Sequence, residues 1–237
     1  MSIQLFMVYF ASVFLISATP GPNMLLAFQY GLNYGVKRTL WTLAGLSLGL
    51  FILLLSTLLG IDVISRESPW LLEIVKAVGA SYLVYLGVTT WRDADNNSSL
   101  MQDAKEVSAA AEALDRSYPD ARSLSSAAVI MAPSNIKLFR AGVWVSLSNP
   151  KAILFFAAFF PKFINFSAPL WPQYILLTVG LFMSETIWQM IYMMGGKKLA
   201  GWLEVGHRLA WLNRICGVIF IVIAAALLTD VIKGFMA

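Results

Sequence analysis

Six stretches of the chain are almost free of charge, and one extended polar segment separates the first three from the last three. The apolar stretches run roughly over residues 5–33, 39–61, 70–90, 138–161, 172–195 and 212–232. Each is long enough to cross a hydrocarbon core of about 30 Å at about 1.5 Å per helical residue. None has the alternating, roughly ten-residue pattern of a barrel strand, so the spans are predicted to be helical. The polar segment, about 92–137, contains "DADNNSSLMQDAKEVSAAAEALDRSYPDARS" and seven of the thirteen acidic residues. Its Ala-rich part predicts a surface helix, and its flanks read as flexible. The chain thus divides into a first three-helix repeat (1–91), a polar loop (92–137) and a second three-helix repeat (138–237). Three spans per half make the halves enter the bilayer from opposite faces. The expected fold is an all-α integral membrane protein with six transmembrane helices in two inverted repeats.

Two places break the apolar pattern. "ATPGPNMLL", residues 18–26, sets Pro20, Gly21 and Pro22 in the middle of the first span. "SNPKAILFF", from Ser148, sets Pro150 and Lys151 in the fourth. Proline lacks a backbone donor and clashes with the preceding turn, so both spans should be interrupted. Broken helices at corresponding positions of two halves point to a transporter's midplane site. The competing reading is that these prolines only kink their helices.

Composition strengthens the membrane reading. Charged residues make up 13% of the 237-residue chain and hydrophobic ones 59%, whereas a soluble domain carries about a quarter charged residues. The pI near 9.2 does not indicate a nucleic-acid partner, because the basic residues flank apolar segments and form no stripe. Twelve of the seventeen Lys and Arg residues lie in the loops after spans one, three and five. That side should be cytoplasmic, which places both termini outside. The N-terminus lacks the positive start of a signal peptide and reads as an uncleaved first span. One cysteine, Cys216, excludes an internal disulfide and a Cys-cluster metal site; no cofactor is expected.

Counting along each helix locates the chemistry. Lys151 is midway between Arg140 and Lys162, Glu185 lies beside the midpoint between Pro172 and Lys197, and Pro20–Gly21 is midway between Gln4 and Lys37. Three unusual features therefore share one depth. A charge at a span centre costs about 2.5–3.5 kcal/mol on insertion scales and usually faces a cavity or another charge. Two readings are open: a structural ion pair locking spans four and five, or a functional pair. Gln189 and Tyr192 follow Glu185 at i+4 and i+7 and extend a polar stripe, either along a water path or for interhelical hydrogen bonding.

The breaks add donors. A half-helix resuming near Asn23 has free N–H groups and a positive dipole end that suits a carboxylate. Pro150 can open a second half-helix whose first turn carries Lys151. With Glu185 available for a cationic group, the natural ligand is a zwitterion. The candidate substrate site is Pro20, Gly21, Pro22, Asn23, Asn149, Pro150, Lys151, Glu185 and Gln189, with Glu185 as the candidate proton carrier. "GLSLG" at 45–49 resembles a nucleophile elbow, but that motif needs a strand–turn–helix context; Gly45, Gly49, Gly79 and Gly87 read as helix-packing residues. Phe155, Phe156, Phe159 and Phe160 read as lipid-facing or packing residues, and His207 lies in a basic loop without a role.

Over nearly its full length the chain resembles the LysE/RhtB family of bacterial amino-acid exporters. The resemblance is carried by "TPGPN" at 19–23, "AGLSLGL" at 44–50, "VGASYLVYLG" at 78–87, "LSNPKAILFFAAFFPKF" at 147–163 and "LNRICG" at 212–217. It is nearest to exporters of homoserine, homoserine lactone, threonine or leucine. Glu185 takes the position of an acid common in span five of that family. Many members carry an Asp soon after the second glycine of the span-two motif. Leu50 here argues against a two-carboxylate mechanism and against a basic amino-acid substrate. The resemblance implies efflux powered by the proton gradient. The expected function is therefore export of a small neutral amino acid or derivative in exchange for protons, the partners being that solute, protons and the lipid bilayer. A homo-oligomer is compatible with the small-residue motifs. The competing classes are a passive channel or uniporter, an intramembrane enzyme and a structural membrane subunit.

Overall fold

The computed structural model describes residues 2–92, 94, 100–116, 133–204 and 207–236. The described residues form helices and connecting turns, with no strand among them. In chain order they are α1 (Ile3–Ala18), α2 (Pro22–Tyr34), α3 (Val36–Glu67), α4 (Pro69–Arg92), α5 (Leu100–Arg116), α6 (Asn135–Leu147), α7 (Pro150–Phe159), α8 (Leu170–Glu204) and α9 (Arg208–Met236). A 3-10 turn, Phe160–Phe163, extends α7.

Four helices are long and apolar enough to cross a membrane, and six spans result if each bent pair counts as one. The α1–α2 pair bends by 52° and the α6–α7 pair by 55°. A bend of that size redirects the chain without reversing it. The helices run several residues beyond the apolar stretches because they continue into polar interfacial sequence, which composition alone does not mark as helical.

The outer surface carries many large apolar side chains, including Ile175, Met183 and Val222, each more than half exposed. Such a surface suits the hydrocarbon of a bilayer. Exposed tryptophans fall at both ends of the spans. Trp70 and Trp171 open α4 and α8, while Trp41, Trp91, Trp202 and Trp211 lie at the opposite ends. Two such belts match the headgroup regions of a bilayer.

The closest helix pairs join the two halves of the chain. α3 lies along α6 and α4 along α9, while α8 lies against α1 and α2. Small residues permit the approach. A Cβ on Gly49 would fall 2.6 Å from the Ser146 Cβ, and one on Gly142 would fall 2.8 Å from the Leu46 nitrogen and overlap the Thr42 carbonyl. Gly87 and Gly217 make the corresponding contact between α4 and α9, and Gly79 meets Ala158. The packing role expected of Gly45, Gly49, Gly79 and Gly87 is thus observed, and "GLSLG" is uninterrupted helix. Gly142→Leu is expected to lower the melting temperature in detergent by well over the few degrees of a neutral surface change, since overpacking at a backbone contact costs about 1–3 kcal/mol or more.

The Ala-rich part of the polar segment forms α5, as expected. Its Ala104 and Ala111 are fully buried, and it is docked on α2 and α6. The flanking residues read as flexible, 95–99 and 117–132, lie outside the described residues. α8 bends at Gly196, whose φ of 47° is a left-handed value that glycine tolerates and β-carbon residues resist.

Candidate functional site

Each break is built from residues that satisfy the backbone where the helix stops. α1 ends at Ala18, and its last carbonyls lose their helical donors. In a membrane they need replacements. Tyr192 donates its hydroxyl to the Ala18 oxygen at 2.9 Å, and the Cys216 thiol donates to the Leu15 oxygen at 3.2 Å. Thr19 N–H closes onto the Ile16 oxygen at 3.2 Å. Of the two uses open for the polar stripe, Tyr192 takes interhelical hydrogen bonding.

The second break has an internal cap. Asn149 precedes Pro150, and its side-chain oxygen accepts from Ala152 N–H at 3.3 Å. α2 differs: Gly21 stands at its cap, Pro22 at its first position, and no side chain caps it. Its first turn is nonetheless inside the protein, with Asn23 and Met24 both buried. The free amide donors of α2 therefore face the interior.

The two breaks are tied to each other. Asn149 Nδ2 donates to Asn23 Oδ1 at 3.4 Å, Asn23 Nδ2 to Ser146 Oγ at 3.1 Å, and Ser146 Oγ to the Leu46 carbonyl at 2.9 Å. This chain joins α7, α2, α6 and α3. It gives each asparagine side chain protein partners that hold the half-helices in place.

A cavity lies at this junction. Its polar lining comprises Ser17, Thr19, Gly21, Asn23, Asn149, Lys151 and Glu185. Five of the nine sequence-predicted residues are among these. Pro20, Pro22 and Pro150 instead shape the two breaks. Gln189 is behind the lining, fully buried, and donates to Glu185 Oε2 at 3.3 Å. The equal-depth count from sequence places Gly21, Lys151 and Glu185 together, and the cavity joins them.

Lys151 and Glu185 are not an ion pair. The Lys151 ammonium makes no hydrogen bond or salt bridge among the described residues. Its neighbours are the Phe220 ring, 6.0 Å away at the centroid, and Gly21, where a Cβ would lie 3.9 Å from Nζ. Glu185 is held instead by neutral donors, with Ser17 Oγ at 2.8 Å on Oε1 and Gln189 on Oε2. Among the lining residues Glu185 is the one carboxylate and Lys151 the one cation. The site thus presents a positive group with no direct ion-pair partner among the described residues beside the uncapped start of α2, and a carboxylate oriented by hydroxyl and amide donors.

Sequence reasoning missed Ser17 as the Glu185 partner, because a serine in an apolar helix ordinarily bonds its own backbone. It also left open whether Phe155, Phe156, Phe159 and Phe160 face lipid. All four are buried, and Phe155 and Phe156 line the cavity. Phe155, at i+4 from Lys151, shares its helix face, but no signal separated Phe156 from a lipid-facing residue. Thr19 and the apolar liners carried none. No group of three or more metal-ligating side chains occurs among the described residues.

A family model described as "LysE type translocator" matches residues 13–231. The homoserine/homoserine lactone efflux protein of Salmonella typhimurium strain LT2 is 27% identical over 227 residues, covering 96% of this chain and 97% of that protein. A leucine efflux protein of Enterobacter sp. strain 638 is 29% identical over 225 residues, 94% of each chain. An uncharacterized membrane protein of Vibrio cholerae is 27% identical over 220 residues, covering 93% and 94%. No solved structure matches the chain. A translocator moves its solute without covalent chemistry, so this membrane protein is a transporter and not an enzyme. The match spans both breaks and every residue lining the cavity, and the chain belongs to the LysE type translocator family.

Proposed function

We propose that the chain exports a small neutral amino acid or close derivative, of the homoserine, homoserine lactone, threonine or leucine type, across the bacterial inner membrane in exchange for protons. The observation that carries this reading is the unpaired Lys151 ammonium beside the uncapped α2 terminus, with Glu185 lining the same cavity. A carboxylate placed there meets an ammonium and free backbone donors. The substrate ammonium meets Glu185. The names of the Salmonella and Enterobacter relatives support an amino-acid cargo.

Antiport follows from having one carboxylate. Glu185 balances one cation at a time, either a proton or the substrate ammonium. A proton arriving from the outside displaces the substrate ammonium, and the neutral acid then carries the proton inward. Substrate binding from the inside releases it. Each state is open to one side only, which the two broken helices provide by moving one half against the other. The cross-half pairing of α3 with α6 and of α8 with α1–α2 supports the inverted-repeat reading. In this orientation the α5 side is cytoplasmic and both termini are periplasmic, in line with the Lys/Arg bias.

The test is competition for efflux of labelled L-leucine and L-homoserine from proteoliposomes. L-leucine should compete, while leucinamide (no carboxylate) and 4-methylpentanoate (no ammonium) should be weaker by roughly tenfold or more, the loss of one charge-assisted contact. Leucinamide competing as well as leucine would remove the carboxylate site at Lys151 and α2. The same geometry makes homoserine lactone the weakest of the four candidates.

A further inference from the structure

We infer that the side-chain pocket of this site is selective for apolar side chains, so that valine- and leucine-like substrates are preferred over their hydroxylated counterparts; this rests on the zwitterion reading above. Three helices leave the polar floor in the same direction and stay in register for three turns. The first layer holds Ser17 on α1, Glu185 on α8 and Lys151 on α7, all lining the cavity. One turn on, the corresponding positions are Val13, Leu181 and Phe155, which also line it. One turn further are Tyr9, Leu177 and Phe159, and these touch. The Tyr9 hydroxyl donates to the Leu177 carbonyl at 2.6 Å, and the Tyr9 and Phe159 ring centroids are 5.8 Å apart. That third layer is fully buried and closes the space.

The second layer is therefore a cup beyond the charged floor. Leu50 and Phe156 complete its wall. Val13, Leu181, Phe155, Leu50 and Phe156 are each at most 6% exposed, and none has a hydrogen-bonding side chain. Every polar side chain lining the cavity belongs to the floor, at the breaks or beside them. With the α-carboxylate and α-ammonium held at the floor, the substrate side chain enters the cup. A hydroxyl there loses its water without gaining a partner. An apolar pocket discriminates against an isosteric hydroxyl by up to about a hundredfold. A basic side chain meets no second carboxylate.

Valine and threonine differ by one methyl for one hydroxyl, which makes them the decisive pair. Full-length protein in proteoliposomes is preloaded with labelled L-valine or L-threonine at several concentrations, and efflux is measured under one imposed pH gradient. L-leucine and L-homoserine form a second pair. The expected result is a valine-over-threonine preference of about ten- to a hundredfold in efflux per unit concentration. In Leu181→Ser and, separately, Leu50→Ser, each verified as folded by its melting curve, that ratio should fall toward one. Threonine moving as well as valine in the native protein would overturn the cup while leaving the zwitterion site intact. A ratio that stays unchanged in both folded variants would also overturn it. If none of the four amino acids moves from vesicles holding folded protein, the underlying transport reading falls and the cup with it.

Discussion

Replacing Lys151 by Met is expected to weaken substrate binding by roughly ten- to a hundredfold and, at the same time, to raise the melting temperature. Both signs follow from one observation: the ammonium lies inside the protein and has no hydrogen bond or ion pair among the described residues. A charge near a span centre costs about 2.5–3.5 kcal/mol on insertion scales. Here no acceptor offsets that cost in the ligand-free state. Met keeps the apolar stem, one atom shorter, and removes the charge, so folding should become easier. Substrate binding loses a charge-assisted contact of about 1.5–3 kcal/mol, which at 1.4 kcal/mol per tenfold is roughly ten- to a hundredfold and sets the expected scale. Concentration dependence of efflux gives the first number, and a thermal melt in detergent the second. A structural lysine would give the opposite pair of results, with lower stability and unchanged affinity.

Glu185→Gln should leave a folded protein whose residual flux ignores the pH gradient. The amide is nearly isosteric, can accept from the Ser17 hydroxyl with its oxygen, and keeps a hydrogen-bonding link to Gln189. What it cannot do is exchange a proton or balance the substrate ammonium. The lining offers no second carboxylate to take over. Substrate exchange should be slower, and a gradient that accelerates native efflux should have no effect on the variant. Gradient-driven efflux by the variant at the native rate would sink the assignment. Ser17→Ala is a milder change, because one neutral donor is lost and the carboxylate stays.

The chain announces its breaks and its charges more clearly than its contacts. Pro20–Pro22 and Asn149–Lys151 are visible because proline ends helices by covalent structure, whatever surrounds it. Lys151 and Glu185 stand out because charge is rare in the spans, and counting residues at a fixed rise set their depth. Depth was enough to bring Gly21, Lys151 and Glu185 together. Rotation about each helix axis was not legible. In lipid both the buried and exposed faces of a helix are apolar, so no hydrophobic periodicity marks the inward side. Phe155 and Phe156 thus looked the same as lipid-facing phenylalanines. Gln189 was assigned to the site by its spacing from Glu185, which places it on the same face but one turn deeper, behind the lining. The Asn23–Asn149 link joins residues 126 apart and depends on how the two halves meet, which no local pattern encodes. Tyr192 and Cys216 as caps for α1 depend on the same meeting.

Proton-coupled export is tested most directly by proteoliposomes containing the native chain and labelled L-leucine, L-valine or L-homoserine. Efflux is followed with and without an imposed pH gradient, and with an ionophore that collapses it. Faster efflux when protons can flow opposite to the substrate, lost on adding the ionophore, is the expected result. Efflux of the same substrate at one rate under all three conditions would contradict the account and make the protein a uniporter or channel, with Glu185 a structural charge.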